Sequence, residues 1–172
     1  MKTFHYMLLI LVFASGLLFG VQAPGFVDQY EKRVNAHYLE VNENFKGFQD
    51  IANRFHGGNI ESLIKKHEGS GDSTFNAEAE PLRRIFERKI RFERELQAMQ
   101  TSLVGKVKHI AIAGDRETVQ ETWNNYSVNF PLNTPAILFG LTVALISTIA
   151  FQMLIVLFRK LLTLGRQVKQ PA

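Results

Sequence analysis

The residue types that hold metals, attack carbonyls or cradle phosphates are all present in this chain, but not at spacings that perform such work. His5, His37, His56, His67 and His109 form no i, i+4 pair and no His-Glu-x-x-His arrangement, so no helix face offers two imidazoles to one ion. Gly69-Ser70-Gly71 follows an expected helix, whereas a phosphate loop lies between a strand and a helix N-terminus. Serine, histidine and aspartate occur together without a nucleophile-base spacing to connect them. The chain has no cysteine, which removes disulfides, thiolate chemistry and cysteine zinc sites. The expectation is therefore a non-enzymatic protein with no catalytic residue, no cofactor and no metal.

Charge placement decides the next question, because a net charge of +4 and a pI near 9.4 invite a nucleic-acid reading. Between Pro24 and Pro135 the sequence holds 15 Lys and Arg against 16 Asp and Glu, a net of −1. The excess lies in Lys2, Arg159, Lys160, Arg166 and Lys169, beside two uncharged apolar runs. Positive flanks of that kind hold both termini in the cytoplasm. They leave no basic surface for a nucleic acid.

The first run, residues 4–23, is about 20 residues long and matches a hydrocarbon core of roughly 30 Å. A cleavable signal peptide is the rival, with Val21-Gln22-Ala23 as its cleavage site. Pro24 directly after that cut favours a retained anchor. The second run, residues 134–158, starts with Thr134 as N-cap and Pro135 at the first helical position, and it stops at Arg159-Lys160. Its polar residues Thr142, Ser147, Thr148 and Gln152 are not ionisable. Small residues recur at four-residue spacing, Gly16 and Gly20 in the first run and Gly140 and Ala144 in the second. That spacing allows helix backbones to meet within one chain or between chains.

Residues 24–133 read as a helical domain, preceded by a short cytoplasmic N-terminus (1–3) and followed by a basic cytoplasmic tail (159–172). Pro24-Gly25 should break the chain at the membrane exit. A stripe then follows: Phe26, Tyr30, Val34, Tyr38, Val41, Phe45, Phe48, Ile51 and Phe55, in steps of three and four. Asn59 should cap a short helix carrying Ile60, Leu63 and Ile64. A long helix is expected from near Ser73 through Leu103, with Pro81 as either a kink or the true start. Its Arg83, Arg84, Arg88, Arg91 and Arg94 are interleaved with glutamates, which suggests a solvated, self-paired face. Asp115 should cap a last helix, and Trp123, Tyr126 and Phe130 precede the second run as headgroup-layer aromatics.

The predicted fold class is thus an all-α membrane protein, with two transmembrane helices flanking an extramembrane antiparallel helical hairpin of coiled-coil type or a small bundle. Two long helices bury little, so added helices or a second subunit should complete the core. The tip, residues 56–75, is expected to be the most exposed and least stable part, with Phe55 and Phe75 clamping its base. Gly57, Gly58, Asn59, Lys65 and Lys66 are its candidate partner-contact residues; a plain connector is the alternative.

The run RFHGGNIESLIKKHEGSGDSTFNAEAE and the exit GLLFGVQAPGFVDQY resemble a family of bacterial two-span membrane proteins known as domain of unknown function 2937. The resemblance covers Gly16 to about Val168. Its most specific parts are the Phe-x-Gly-Gly tip from Phe55 to Asn59 and the Ser-Gly-Asp-x-x-Phe turn from Ser70 to Phe75. It implies a proteobacterial inner-membrane protein, and it implies no activity; the charged flanks are what place the central domain in the periplasm. Two functions remain open on these grounds. One is an accessory or scaffold subunit that binds the lipid bilayer and a partner membrane protein, or a second copy of itself. The other is an extracytoplasmic ligand-sensing module that signals through a partner.

Overall fold

The computed structural model of the protein describes residues 2–127 and 133–167. Among them are six helices and no strand: α1 (Lys2–Phe55), α2 (Ile60–Glu68), α3 (Ser73–Ala98), α4 (Leu103–Ile112), α5 (Arg116–Asn124) and α6 (Thr134–Gln167). The chain divides into two units, Met1–Phe26 with Ser127–Ala172, and Val27–Tyr126. Phe130, Val168 and Lys169 lie outside the described residues.

In the first unit, the opening half of α1 and the body of α6 are each long and apolar enough to cross a membrane. They run antiparallel, since Gly16 faces Ala144 and Ser147 while Gly20 faces Gly140. A Cβ placed on Gly20 would stand 2.8 Å from the Gly140 Cα, and one on Gly16 would stand 3.0 Å from the Ala144 Cα. The Thr142, Ser147 and Thr148 hydroxyls donate to carbonyls of α6 itself, at Leu138 and Ala144. These three hydroxyls are thus satisfied within α6, and the two helices approach through backbone contact at the small residues.

The expected break at Pro24 is not there: α1 continues through it as one helix of 54 residues. Proline there removes the donor that would reach the Gly20 carbonyl and its ring crowds that carbonyl, together a cost of about 3 kcal/mol. Long helical segments on either side offset it, and the buried residues Val27 and Tyr30 follow within two turns. Pro81 likewise lies inside α3, which begins at Ser73 because the Asp72 carboxylate accepts the Thr74 N–H at 2.8 Å.

The second unit is a small bundle built on an antiparallel pair. Phe45 of α1 stacks on Phe86 of α3, Glu40 pairs with Arg88, and Tyr30 reaches Glu95, so rising numbers on α1 meet falling numbers on α3. The stripe holds from Tyr30 to Phe45 and then slips: Ala52 is buried while Ile51 and Phe55 are exposed. There α2 joins the same apolar cluster, and the small side chain gives it room. Ile60, Leu63 and Ile64 are all buried with Phe45, Ala52 and Leu82. The tip helix thus joins the core through these three side chains, while most of residues 56–75 remain exposed, as expected. Nine residues make a marginal helix alone, and the burial of three aliphatic side chains supplies the tertiary support.

The long return helix also ends earlier than expected. α3 stops at Ala98 with Met99 as its C-cap, and the Ser102 hydroxyl accepts the Gly105 N–H to start α4. The apolar spacing from Phe92 to Leu103 continues across this turn, so periodicity alone does not reveal it. α4 and α5 complete the bundle, with Ile110 and Val119 against Tyr30, Val34, Val41, Phe92 and Met99.

Two glycines of α1 and its exit should respond oppositely to alanine. Gly57 has φ +58° and Gly47 lies within the helix, and an added Cβ at either meets nothing within 4 Å. Gly57→Ala should then cost about 1 kcal/mol through left-handed strain alone. Gly47→Ala should gain roughly 0.5–1 kcal/mol from reduced unfolded-state freedom. Thermal unfolding of the two variants checks this, and midpoints moving in the same direction would refute it.

Candidate functional site

α3 was expected to carry a self-paired cationic face, and the structure corrects that. Only Arg84 with Glu80, at 3.4 Å, and Lys89 with Glu93 pair along the helix. Arg83 reaches Glu68 and Glu61 of α2 at 2.7 and 3.5 Å, and Arg88 reaches Glu40 of α1 at 2.9 Å. Arg91 meets Asp115 and Glu117 at 3.5 and 3.2 Å. The arginines tie neighbouring helices to α3, because in a bundle the nearest carboxylate lies across the interface as often as one turn away.

A buried polar group sits where four helices converge. Tyr30, fully buried on α1, donates its hydroxyl to Glu95 Oε2 on α3 at 2.8 Å. His109 Nε2 of α4 lies 3.0 Å from the same oxygen, and the Asp115 N–H before α5 donates to the Tyr30 hydroxyl at 2.9 Å. Glu95 is only 8% exposed. Desolvation, reinforced by the Glu95 carboxylate, pushes the Tyr30 phenol far above its ordinary 10.0. A proton donor held neutral and out of reach of solvent cannot meet a substrate, so this cluster fastens helices together. Glu95 had read as an interleaved surface charge. Its true position was marked by spacing, since Phe92, Glu95 and Met99 fall on one face of α3 and all three are buried.

A second polar group is open to solvent. Between α1 and α5 lies a recess of about 410 Å³ lined by Gln29, Lys32, Arg33, Ala36, His37 and Glu121. Arg33 Nη1 donates to Glu121 Oε1 at 2.8 Å, and His37 Nε2 lies 2.7 Å from Oε2. His37 stacks on Phe92 with centroids 5.2 Å apart, which fixes its ring plane. The His37 hydrogen bond, aided by Arg33, holds the Glu121 carboxyl below its usual 4.5. Such a recess can recognise a polar ligand through a guanidinium, an imidazole and a carboxylate.

A depressed carboxylate contributes stability that is complete above the unfolded value and lost as pH falls through the folded one. Thermal stability should therefore decline on acidification below about 4.5, more steeply in the native chain than in Glu121→Gln. Parallel pH profiles for the two proteins would show that Glu121 does not couple to folding.

The remaining sites foreseen from sequence are placed as follows. Gly16 meets Ala144 and Gly20 meets Gly140, all within one chain. Gly57 and Gly58 both have positive φ, and Gly58 donates its N–H to the Ala52 carbonyl at 3.0 Å, closing the turn after α1. Asn59 accepts the Ser62 N–H at 3.0 Å and caps α2. Lys65 and Lys66 are exposed in its last turn. Phe55 and Phe75 do not clamp the tip: both are exposed, and Phe75 meets the His67 ring edge-on at 5.5 Å. Trp123 is exposed as well. Among the described residues, no group of three or more His, Asp and Glu side chains is placed to share a metal ion.

The family model described as Protein of unknown function (DUF2937) matches residues 4–163. The chain belongs to this family. Neither the curated proteins nor the solved structures contain a match. The match takes in both candidate spans and the whole bundle of this chain.

Proposed function

We propose that the protein is a non-enzymatic accessory or scaffold protein of the bacterial inner membrane. It has both termini in the cytoplasm and its bundle in the periplasm, where it binds a partner membrane protein or a second copy. The observation that carries this reading is the state of the tip. The tip is pinned into the core by Ile60, Leu63 and Ile64, yet Ile51 and Phe55, one turn apart at the end of α1, remain exposed, Phe55 at 74%. Large apolar side chains on a rigid element are what a protein interface uses as anchors. Lys65 and Lys66 on α2 add a polar rim. The small residues of the spans already pack within one chain, which leaves the tip as the better contact surface.

The test is co-purification in mild detergent with the native chain and with Phe55→Ser. A companion or second copy retained by the first and lost by the second is the expected result. A native chain that is monomeric and companion-free would sink the proposal. Orientation is checked separately by a reporter active only in the periplasm, fused after Ala172, which should stay silent.

The open recess around Arg33, His37 and Glu121 favours a second reading, a ligand-sensing module that signals through a partner. A ligand-dependent rise in the melting temperature of the full chain, absent in Glu121→Ala, would support it over pure scaffolding.

A further inference from the structure

α4 leaves one face uncovered. Lys106 turns toward α1 and pairs with Glu31, His109 lies against Glu95 of α3, and Ile110 packs on the core. On the outer face Val104 is 65% and Ile112 is 76% exposed, Lys108 stands exposed between them, and no residue of the helix is fully buried. The exposed positions Val104, Lys108, Ala111 and Ile112 lie at i, i+4, i+7 and i+8, within about a third of the helix circumference. One lysine stands at the centre of this apolar stripe. Residues 103–112 contain Lys106, Lys108 and His109 and no carboxylate.

We propose that this stripe is an interfacial contact for an anionic lipid surface. Val104, Ala111 and Ile112 enter the headgroup and acyl boundary, and the Lys108 stem lies along them with its ammonium among the phosphates. Helices of this composition, apolar outside with lysine and no acid, bind bilayers by buried apolar area plus attraction to anionic headgroups. The bundle continues in sequence, at both ends, into the two candidate spans, so such a surface is always within reach. A second copy fits the stripe less well. Val104 and Ile112 are four residues either side of Lys108, so antiparallel pairing of two α4 helices would set Lys108 against its own counterpart. This inference is independent of the tip reading, because it concerns a different helix and a different partner.

The absence of cysteine makes the test direct. The full-length chain carrying Val104→Cys, Ile112→Cys or, as control, Asn44→Cys is labelled with an environment-sensitive fluorophore and placed in nanodiscs. The discs contain phosphatidylcholine with or without phosphatidylglycerol, and lipids spin-labelled at shallow acyl positions serve as quenchers. The expected result is quenching at 104 and 112 in the anionic discs, weaker quenching in the neutral ones, and none at 44. Lys108→Gln should lower the docked-to-undocked ratio in anionic discs roughly fivefold, the effect of about one lysine at an anionic surface. Lack of quenching at both 104 and 112 in anionic discs overturns the proposal, as does equal quenching in the two lipid compositions. So does a signal that appears only in discs holding two copies, which would assign the stripe to self-association.

Discussion

Glu95→Ala is expected to destabilise the bundle by about 3 kcal/mol, the largest single-residue effect in the second unit. The carboxylate receives Tyr30 from α1 and His109 from α4 at one oxygen, and Tyr30 in turn accepts the Asp115 N–H. Truncation leaves a buried hydroxyl and a mostly enclosed imidazole without their acceptor. Removing one partner of such a group costs more than the interaction itself is worth. For a unit of this size that loss corresponds to a fall in melting temperature on the order of 12–24 °C. Glu95→Gln keeps the volume and one acceptor, so its loss should be nearer ~1 kcal/mol. Tyr30→Phe should fall between the two, since it strands the Asp115 N–H. In a double-mutant cycle, Tyr30→Phe and Glu95→Gln should be strongly non-additive. Additive losses would mean that the two residues act separately and that α1, α3 and α4 are not joined through this oxygen.

The sign of the alkaline effect follows from the same cluster. Tyr30 is held above its ordinary value, so its contribution is complete below pH 10 and is lost as the unfolded chain, but not the folded one, releases its proton above that value. Tyr30→Phe should remove that part of the alkaline decline.

The second large effect belongs to the paired apolar helices. Gly20→Leu is expected to drive them apart, because the first atoms that an added side chain meets are the Gly140 Cα at 2.8 Å and the Val143 Cβ at 2.9 Å. A flexible side chain could swing away, but the Gly140 backbone cannot. Overpacking of this kind costs 1–3 kcal/mol in ordinary cores and about 3 here. Gly140→Leu should be equally damaging, since its Cβ would collide with Val21 and approach the Leu17 carbonyl at 3.2 Å. The readout is thermal unfolding of the full chain in mild detergent, compared between the native protein and Gly20→Leu. The midpoint should fall clearly in Gly20→Leu. An unchanged midpoint would contradict the close approach.

These two effects differ in how far the sequence announced them. The four-residue spacing of Gly16, Gly20, Gly140 and Ala144 marked the positions at which backbones can touch. It left open whether the touching helix is the chain's own or a neighbour's, and the structure places both partners in one chain. No local spacing announced the partners of Glu95, because Tyr30 and His109 lie 65 and 14 residues away.

The sequence by itself determined what depends on neighbours within a few residues. Two uncharged apolar runs announce two helices long enough for a bilayer. Asn59 and Asp115 start α2 and α5 because an Asx side chain satisfies an N–H three residues on, whatever the rest of the chain does. The family resemblance read from the sequence is matched by the family model over residues 4–163. Only the tertiary structure decided which helices meet. It carried α1 through Pro24, where flanking helix outweighs one lost hydrogen bond. It buried one face of the tip helix by bringing Phe45, Ala52 and Leu82 alongside it. It sent Arg83, Arg88 and Arg91 to carboxylates on other helices, and it turned Lys106 and His109 inward while leaving Val104 and Ile112 outside. A charge finds its partner across a packed interface, and an apolar side chain finds its cover from whatever element or solvent lies opposite. Both are set by the arrangement of whole helices, which no local pattern encodes.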